Sequence, residues 1–415
     1  MMPWLKTLYV LAMTQLHFLP HLPFPANPLA LFGLLLLAGL IGGELVKRVL
    51  HLPRITGYVL IGMLLGASGF GLLDKRLIAE AWIFVDIALG LILFELGRRL
   101  DVTWLKKDRW LLATGVLESA LSFGFIYFAL VYFGVKPLYA AVAAAIGVST
   151  SPEVVMVVAQ ELRAEGQVTE RALNLVAINN VIAFVSVAML LSWIHLEYRA
   201  GWITIVLQPL YMLAGSLGLG YAACMLALLL ARWLGKSADR HFVLLLALIT
   251  VTVGAARMLD LSVLLALLSF GVMARNLDRR HDLMAVDISR IGQLFFVVLF
   301  VVGGARLHLT DIVAGGVLAL VYILARFAGK SIGVLSLTHF SGVRAGSAGL
   351  LCIALTPMSS MALAMVQGTA DLYPEFGARL AAIVLAAVLI LELLGPLAVQ
   401  FALKQAGEAG EEERR

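Results

Sequence analysis

Long apolar windows recur along the chain, the first opening near residue 28 and the last closing near residue 403, each bounded by charges, proline or glycine. A bilayer core takes about 20 apolar residues per helix, and within hydrocarbon only helices and closed barrels satisfy their own backbone groups. Thirteen such windows predict thirteen spans and an all-α polytopic membrane protein. Composition closes the soluble alternative: with 61% hydrophobic and 14% charged residues among 415, no globular core could hide that much apolar surface from water. Residues 1–27 hold a lone Lys6 and the run HFLPHLPFP, without the small-residue cleavage site of a signal peptide, so an N-terminal extracytoplasmic or interfacial segment is predicted there. Residues 28–403 are then the transmembrane domain, and 404–415 a short, charged, disordered cytoplasmic tail.

Basic residues orient the spans, because cytoplasmic loops carry the Lys/Arg excess. One set of alternate loops holds Lys47, Arg48 and Arg54, then Arg98, Arg99, Lys106, Lys107 and Arg109, then Arg163 and Arg171. That set is assigned to the cytoplasm, with the N-terminus outside and the C-terminus inside a bacterial plasma membrane. The same bias accounts for the net charge of +5, so nucleic acid need not be invoked. Cys224 and Cys352 sit in apolar segments without CxxC or Cys/His spacing, which favours packing over a disulfide or resident metal site. No zinc-hydrolase motif, nucleophile elbow or phosphate loop occurs, so neither an enzyme nor a cofactor is expected.

Two windows are interrupted. The fifth, 137–162, contains GVSTSPEVV, where Pro152 removes a backbone donor and Ser149, Thr150 and Ser151 stand beside the break. The twelfth, 346–368, contains ALTPMSSMAL, with Pro357 among Thr356, Ser359 and Ser360. Broken helices in corresponding places of two halves point to a transporter site, because their ends present open N–H and C=O groups in mid-membrane. The sixth window, 172–194, carries two adjacent amides, Asn179 and Asn180. Such a pair either hydrogen-bonds between helices or ligates the transported ion. GLIGG (39–43) has small-xxx-small spacing compatible with a dimer contact.

GYVLIGMLLGASGFGL (57–72), LILFELGRRLD (91–101), FFVVLFVVGGARLHL (295–309) and RFAGKSIG (326–333) together resemble the recurring segments of the cation/proton antiporter superfamily, above all its antiporter-2 branch, in order over residues 28–400. The resemblance implies inverted repeats, two crossed discontinuous helices, and a core that moves like an elevator against a dimerisation domain in a homodimer. It also implies exchange of a monovalent cation, Na+ or K+, for protons. The signature pair on the sixth span is Asp-Asp or Asn-Asp in that superfamily, its second member being the essential carboxylate; here that position is Asn180. Lys330 matches the buried lysine of electrogenic members. The chain therefore combines the lysine of one branch with a pair belonging to neither.

An asparagine offers a carbonyl acceptor and two donors but does not titrate, so proton competition at Asn180 is impossible. A cation has possible ligands in Asn180, Thr150 and Glu153, with Ser151 and Asn179 nearby in sequence. Lys330, deprived of its usual neighbour, is neutral, paired with another carboxylate, or holds an anion; Arg326, one turn earlier on the same face, favours the last two. Candidate replacement carboxylates are Glu153, which opens the second half-helix where N–H groups favour an anion, Glu95, which either faces a funnel or pairs with Arg98 or Arg99, and Asp86 and Glu118. The last two read more readily as packing contacts, and Glu392 has no assignment. Two rival readings stand beside the antiporter: an anion or organic-solute carrier using Lys330 and Arg326, and a non-transporting or channel-like sensor without proton coupling. The orientation predicts that Cys introduced at Lys106 reacts with an impermeant thiol reagent only after the membrane is opened; labelling in intact cells contradicts it.

Overall fold

The computed structural model describes residues 27–102, 108–197, 202–235, 237–278, 283, 289–358, 362, 365–366 and 374–410. The N-terminal segment, the 103–107 stretch with Trp104, Lys106 and Lys107, and Ser359 and Ser360 lie outside them. Among the described residues there are helices and no strands. In chain order they are α1 (Pro28–Leu50), α2 (Arg54–Leu65), α3 (Lys75–Arg99), α4 (Arg109–Tyr132), α5 (Pro137–Val148), α6 (Pro152–Glu161), α7 (Gln167–Glu197), α8 (Trp202–Leu234), α9 (Ala238–Met258), α10 (Val263–Leu277), α11 (Ser289–Ala305), α12 (Leu309–Ser336), α13 (Ala345–Ala354) and α14 (Pro374–Gln405).

Their ends follow local chemistry. Asn27 caps α1 by accepting from Leu29 N at 2.9 Å, Asp74 caps α3 from Leu77 N at 2.8 Å, and Ser262 caps α10 from Leu265 N at 3.2 Å. Helix α1 stops at His51, which takes a left-handed backbone just before Pro53. Nine helical stretches, with α5 and α6 taken together, are long and apolar enough to cross a membrane, and four shorter apolar helices bring the described total to the thirteen expected. The second window is shorter than its hydropathy suggests, because the chain leaves helix at Gly66 and turns through Gly71 at φ 64°. The broken pair α5/α6 is the central element: 94% of its apolar window is buried, against 28–61% for the other long spans, which keep an exposed apolar face.

Two expectations are corrected. The glycines of 39–43 serve contacts inside the chain rather than a dimer seam: a β-carbon on Gly39 would overlap Val297 of α11, one on Gly42 would overlap Ile61, and one on Gly43 would overlap Tyr58 of α2. The tail is not disordered as far as it is described. Residues 406–410 fold back on the α6–α7 turn, with Gly410 N donating to Leu162 O at 2.9 Å and Ala409 buried.

A β-carbon on Gly57 would lie 2.3 Å from Gly42 O, whereas one on Gly33 meets nothing within 4 Å. Gly57→Leu is therefore expected to cost about 3 kcal/mol or more through backbone displacement and to lower the melting temperature of the purified protein, while Gly33→Leu leaves it unchanged; equal effects would contradict this packing.

Candidate functional site

Both breaks open the chain in the same place. Helix α5 ends at Val148, Ser149 to Ser151 lie outside any helix, and Ser151 Oγ caps α6 by accepting from Val154 N at 3.2 Å. Helix α13 ends at Ala354, and Ser151 N donates to Pro357 O at 3.2 Å, so the two interruptions touch through their backbones. The last carbonyls of a helix have no partner within it and carry partial negative charge.

Helix α12 supplies partners from one face, with Tyr322, Arg326 and Lys330 four residues apart. Tyr322 Oη donates to Ala143 O at 2.9 Å. Arg326 donates through Nε to Gly147 O (2.8 Å), through Nη2 to Ser149 O (2.7 Å) and Pro357 O (3.1 Å), and through Nη1 to Thr356 O (2.7 Å). Lys330 Nζ donates to Val148 O and to Thr150 Oγ1, both at 3.1 Å. From α7, Asn180 Nδ2 donates to Thr150 O at 2.6 Å and to Val176 O at 2.8 Å. Every carbonyl from Gly147 to Thr150 is thus held by a side chain.

The charge on Lys330 is met from α4. Its ammonium forms an ion pair with the Glu118 carboxylate, and the two side chains are 1% and 0% exposed. Asn179 joins them, with Nδ2 donating to Glu118 Oε1 at 3.3 Å and Thr150 Oγ1 at 3.2 Å, while its Oδ1 accepts from Ser119 Oγ at 3.1 Å. Glycines bring α4 this close: β-carbons on Gly329 and Gly333 would lie 2.6 Å from Ser122 Cα and 2.3 Å from Glu118 Cα. Glu118 was legible as a partner of Lys330 only through two signals read together, the polar run Glu118, Ser119 and Ser122 on α4 and the Gly-xxx-Gly spacing that brackets Lys330. Read singly, it looked like packing.

The remaining candidates meet other groups. Glu153, buried in the first turn of α6, lies within electrostatic reach of Glu392 on α14, whose Oε1 would be 3.3 Å from a β-carbon on Gly303. Glu95 pairs with Arg98 at 3.5 Å, and Asp86 with Arg257 at 2.6 Å. Asn180 Oδ1 is buried and has no hydrogen-bond partner among the described residues. At the crossing the arrangement offers acceptor oxygens from Glu118, Thr150 and Asn180, set against one ammonium.

The architecture has solved counterparts. The sodium proton antiporter MjNhaP1 from Methanocaldococcus jannaschii, in a structure at pH 8 and in an electron-microscopy map, superposes with a TM-score of 0.66 in each case. Identity is 17% and 18%, over 92% of this chain and 97% and 98% of those chains, a likeness of fold. The Na(+)/H(+) antiporter NhaS5 of Synechocystis sp. (strain ATCC 27184 / PCC 6803 / Kazusa) is 34% identical over 87 residues, which span 21% of this chain and only 12% of that protein's length. The profile described as sodium/hydrogen exchanger, transmembrane, matches residues 32–405. The chain is a multi-pass membrane protein of the sodium/hydrogen exchanger transmembrane family.

Proposed function

We propose that the chain exchanges a monovalent cation, Na+ or K+, for a proton at the crossing of the broken helices, and that Lys330 and Glu118 carry the coupling that Asn180 cannot. The observation that carries this reading is the buried Lys330–Glu118 pair, in contact with Thr150 and Asn179. In that cluster Asn179, Asn180 and Thr150 do not titrate near neutral pH. A cation entering between the Glu118 carboxylate and the oxygens of Thr150 and Asn180 takes the place of the Lys330 ammonium as counter-charge. A second positive charge beside it is costly in a dry site, so the ammonium releases its proton.

Charge balance fixes the stoichiometry. Carboxylate with ammonium is neutral, and carboxylate with cation and free amine is neutral as well, so one cation replaces one proton. Exchange is electroneutral even though Lys330 matches the lysine of electrogenic relatives. Arg326 stays out of this exchange, its donors being committed to four backbone carbonyls; that commitment weighs against an anion carrier built on Arg326. The resemblance supports a homodimer with an elevator-type core within residues 28–403. The loop charges support an N-terminus outside and a C-terminus in the cytoplasm of a bacterial plasma membrane.

In liposomes with a preset proton gradient, Na+ or K+ is expected to dissipate the gradient at a rate that an imposed membrane potential leaves unchanged. Voltage-dependent exchange would overturn the stoichiometry, and silence with every cation would overturn the function.

A second test separates the carboxylates. Glu118→Gln leaves a buried ammonium without its counter-charge, which is expected to cost about 3–5 kcal/mol and to abolish exchange; Lys330→Met abolishes exchange, and the double variant regains stability without activity. Glu153→Gln is expected to keep the wild-type pH profile, whereas Asn180→Asp adds a titrating group and gives cation flux a new pH dependence. A pH profile lost in Glu153→Gln and kept in Lys330→Met would move the coupling to α6.

A further inference from the structure

The far end of the chain reaches the helix that carries the two asparagines. After α14 the backbone turns at Gly407, φ 71°, and brings the Glu408 carboxylate against the first turn of α7. Its Oε1 accepts from Val168 N at 2.7 Å, and its Oε2 accepts from Thr169 N at 2.8 Å and Thr169 Oγ1 at 2.7 Å. Backbone bonds flank it, from Glu165 N to Glu408 O at 3.0 Å and from Gly410 N to Leu162 O at 2.9 Å. The opening N–H groups of a helix have no carbonyl within it to bond. Here a carboxylate some 240 residues away in sequence takes the place that a neighbouring Ser, Thr, Asp or Asn ordinarily fills.

Gly166 makes room for this contact, since a β-carbon there would come within 2.2 Å of Glu408 Cδ. The same turn of α7 is held from two other sides. Arg171 donates to Asp108 Oδ2 at 2.8 Å and to Ser341 O at 3.2 Å, and Arg99 pairs with Glu170 at 3.2 Å. Val168 and Asn180 lie on one continuous helix, about 18 Å apart at 1.5 Å per residue. A shift along that axis moves Asn179 and Asn180 past Thr150, where the Asn180 to Thr150 O bond of 2.6 Å leaves little tolerance.

We propose that Glu408 is a positioning residue: it fixes the axial setting of α7, and through it the register of Asn179 and Asn180 against Thr150, in the exchange proposed above, on which this inference rests. The turn at 406–410 is then a strap that fastens the end of α14 to the α6–α7 turn, so that the broken helix, the asparagine helix and α14 keep one setting.

The test uses the full-length protein with Glu408→Ala, Glu408→Gln, Gly166→Val, and Gly166→Val combined with Glu408→Ala. Two readouts are taken, amide hydrogen exchange and the cation dependence of exchange in liposomes. Exchange over 166–172 and over 174–182 is expected to quicken about fivefold or more in Glu408→Ala and Gly166→Val, the scale of a lost helix cap, with Glu408→Gln intermediate. The KM for the cation rises by a similar factor while the maximal rate per folded protein holds within about twofold, and the double variant matches the single ones because one contact is broken twice. Acceleration confined to 166–172 with unchanged KM would reduce Glu408 to a local cap, and additive effects in the double variant would place the cause elsewhere. A wild type that exchanges no cation overturns the transport reading alone, since hydrogen exchange still judges the strap.

Discussion

Two helices stop inside the packed interior of the protein, and the carbonyls they leave open must be met by other protein groups. Arg326 meets four of them, two from each break, and the remaining arrangement follows from that commitment. Its guanidinium holds Gly147 and Ser149 on one side and Thr356 and Pro357 on the other, so the two interruptions share one cation. The planar fork of donors suits this task, which the compact ammonium of a lysine could not perform from the same position. Val148 and Thr150 fall to Lys330 and Asn180. Residues that read as ion-handling groups therefore also hold the backbone at the breaks, and a substitution at any of the three acts on structure as well as on the exchange proposed above.

Asn180 illustrates the consequence. An aspartate at this position would be an acceptor facing the Thr150 carbonyl, another acceptor, whereas the amide donates to it at 2.6 Å. The carboxylate that balances Lys330 comes instead from α4, across a contact made possible by Gly329 and Gly333. Replacing one buried charge by an amide is tolerable only where another counter-charge reaches the lysine, because an ammonium left alone in a dry interior is strongly penalised. Glu118 and the two glycines are thus one structural solution.

Much of the architecture was legible in the sequence because hydropathy and proline act locally. The apolar windows, the breaks at Pro152 and Pro357, and the polar pair at 179–180 each depend on neighbours a few residues away, and each could be read off the chain. What was hidden depends on approach between distant segments. Glu118 meets Lys330 across 212 residues, and Glu408 caps a helix some 240 residues earlier; no local periodicity reports either pairing. The glycines of 39–43 carried a true signal of close helix approach, but small residues cannot say whether the partner helix belongs to the same chain, and here α2 and α11 fill the seam.

The central claim is that cation and proton compete through an ion pair rather than through a carboxylate at position 180. Proton release on cation binding measures that competition directly, by adding Na+ or K+ to purified protein in weakly buffered detergent solution near pH 7 and recording cation bound and protons set free, since a ligand that changes protonation must exchange protons with the solvent. The account predicts about one proton released per cation bound in the wild type, with a dependence of that release on pH that Lys330→Met changes, since the ammonium is the group that gives up the proton. Cation binding to the wild type without proton release, or a pH dependence of release that Lys330→Met leaves unchanged, would contradict it.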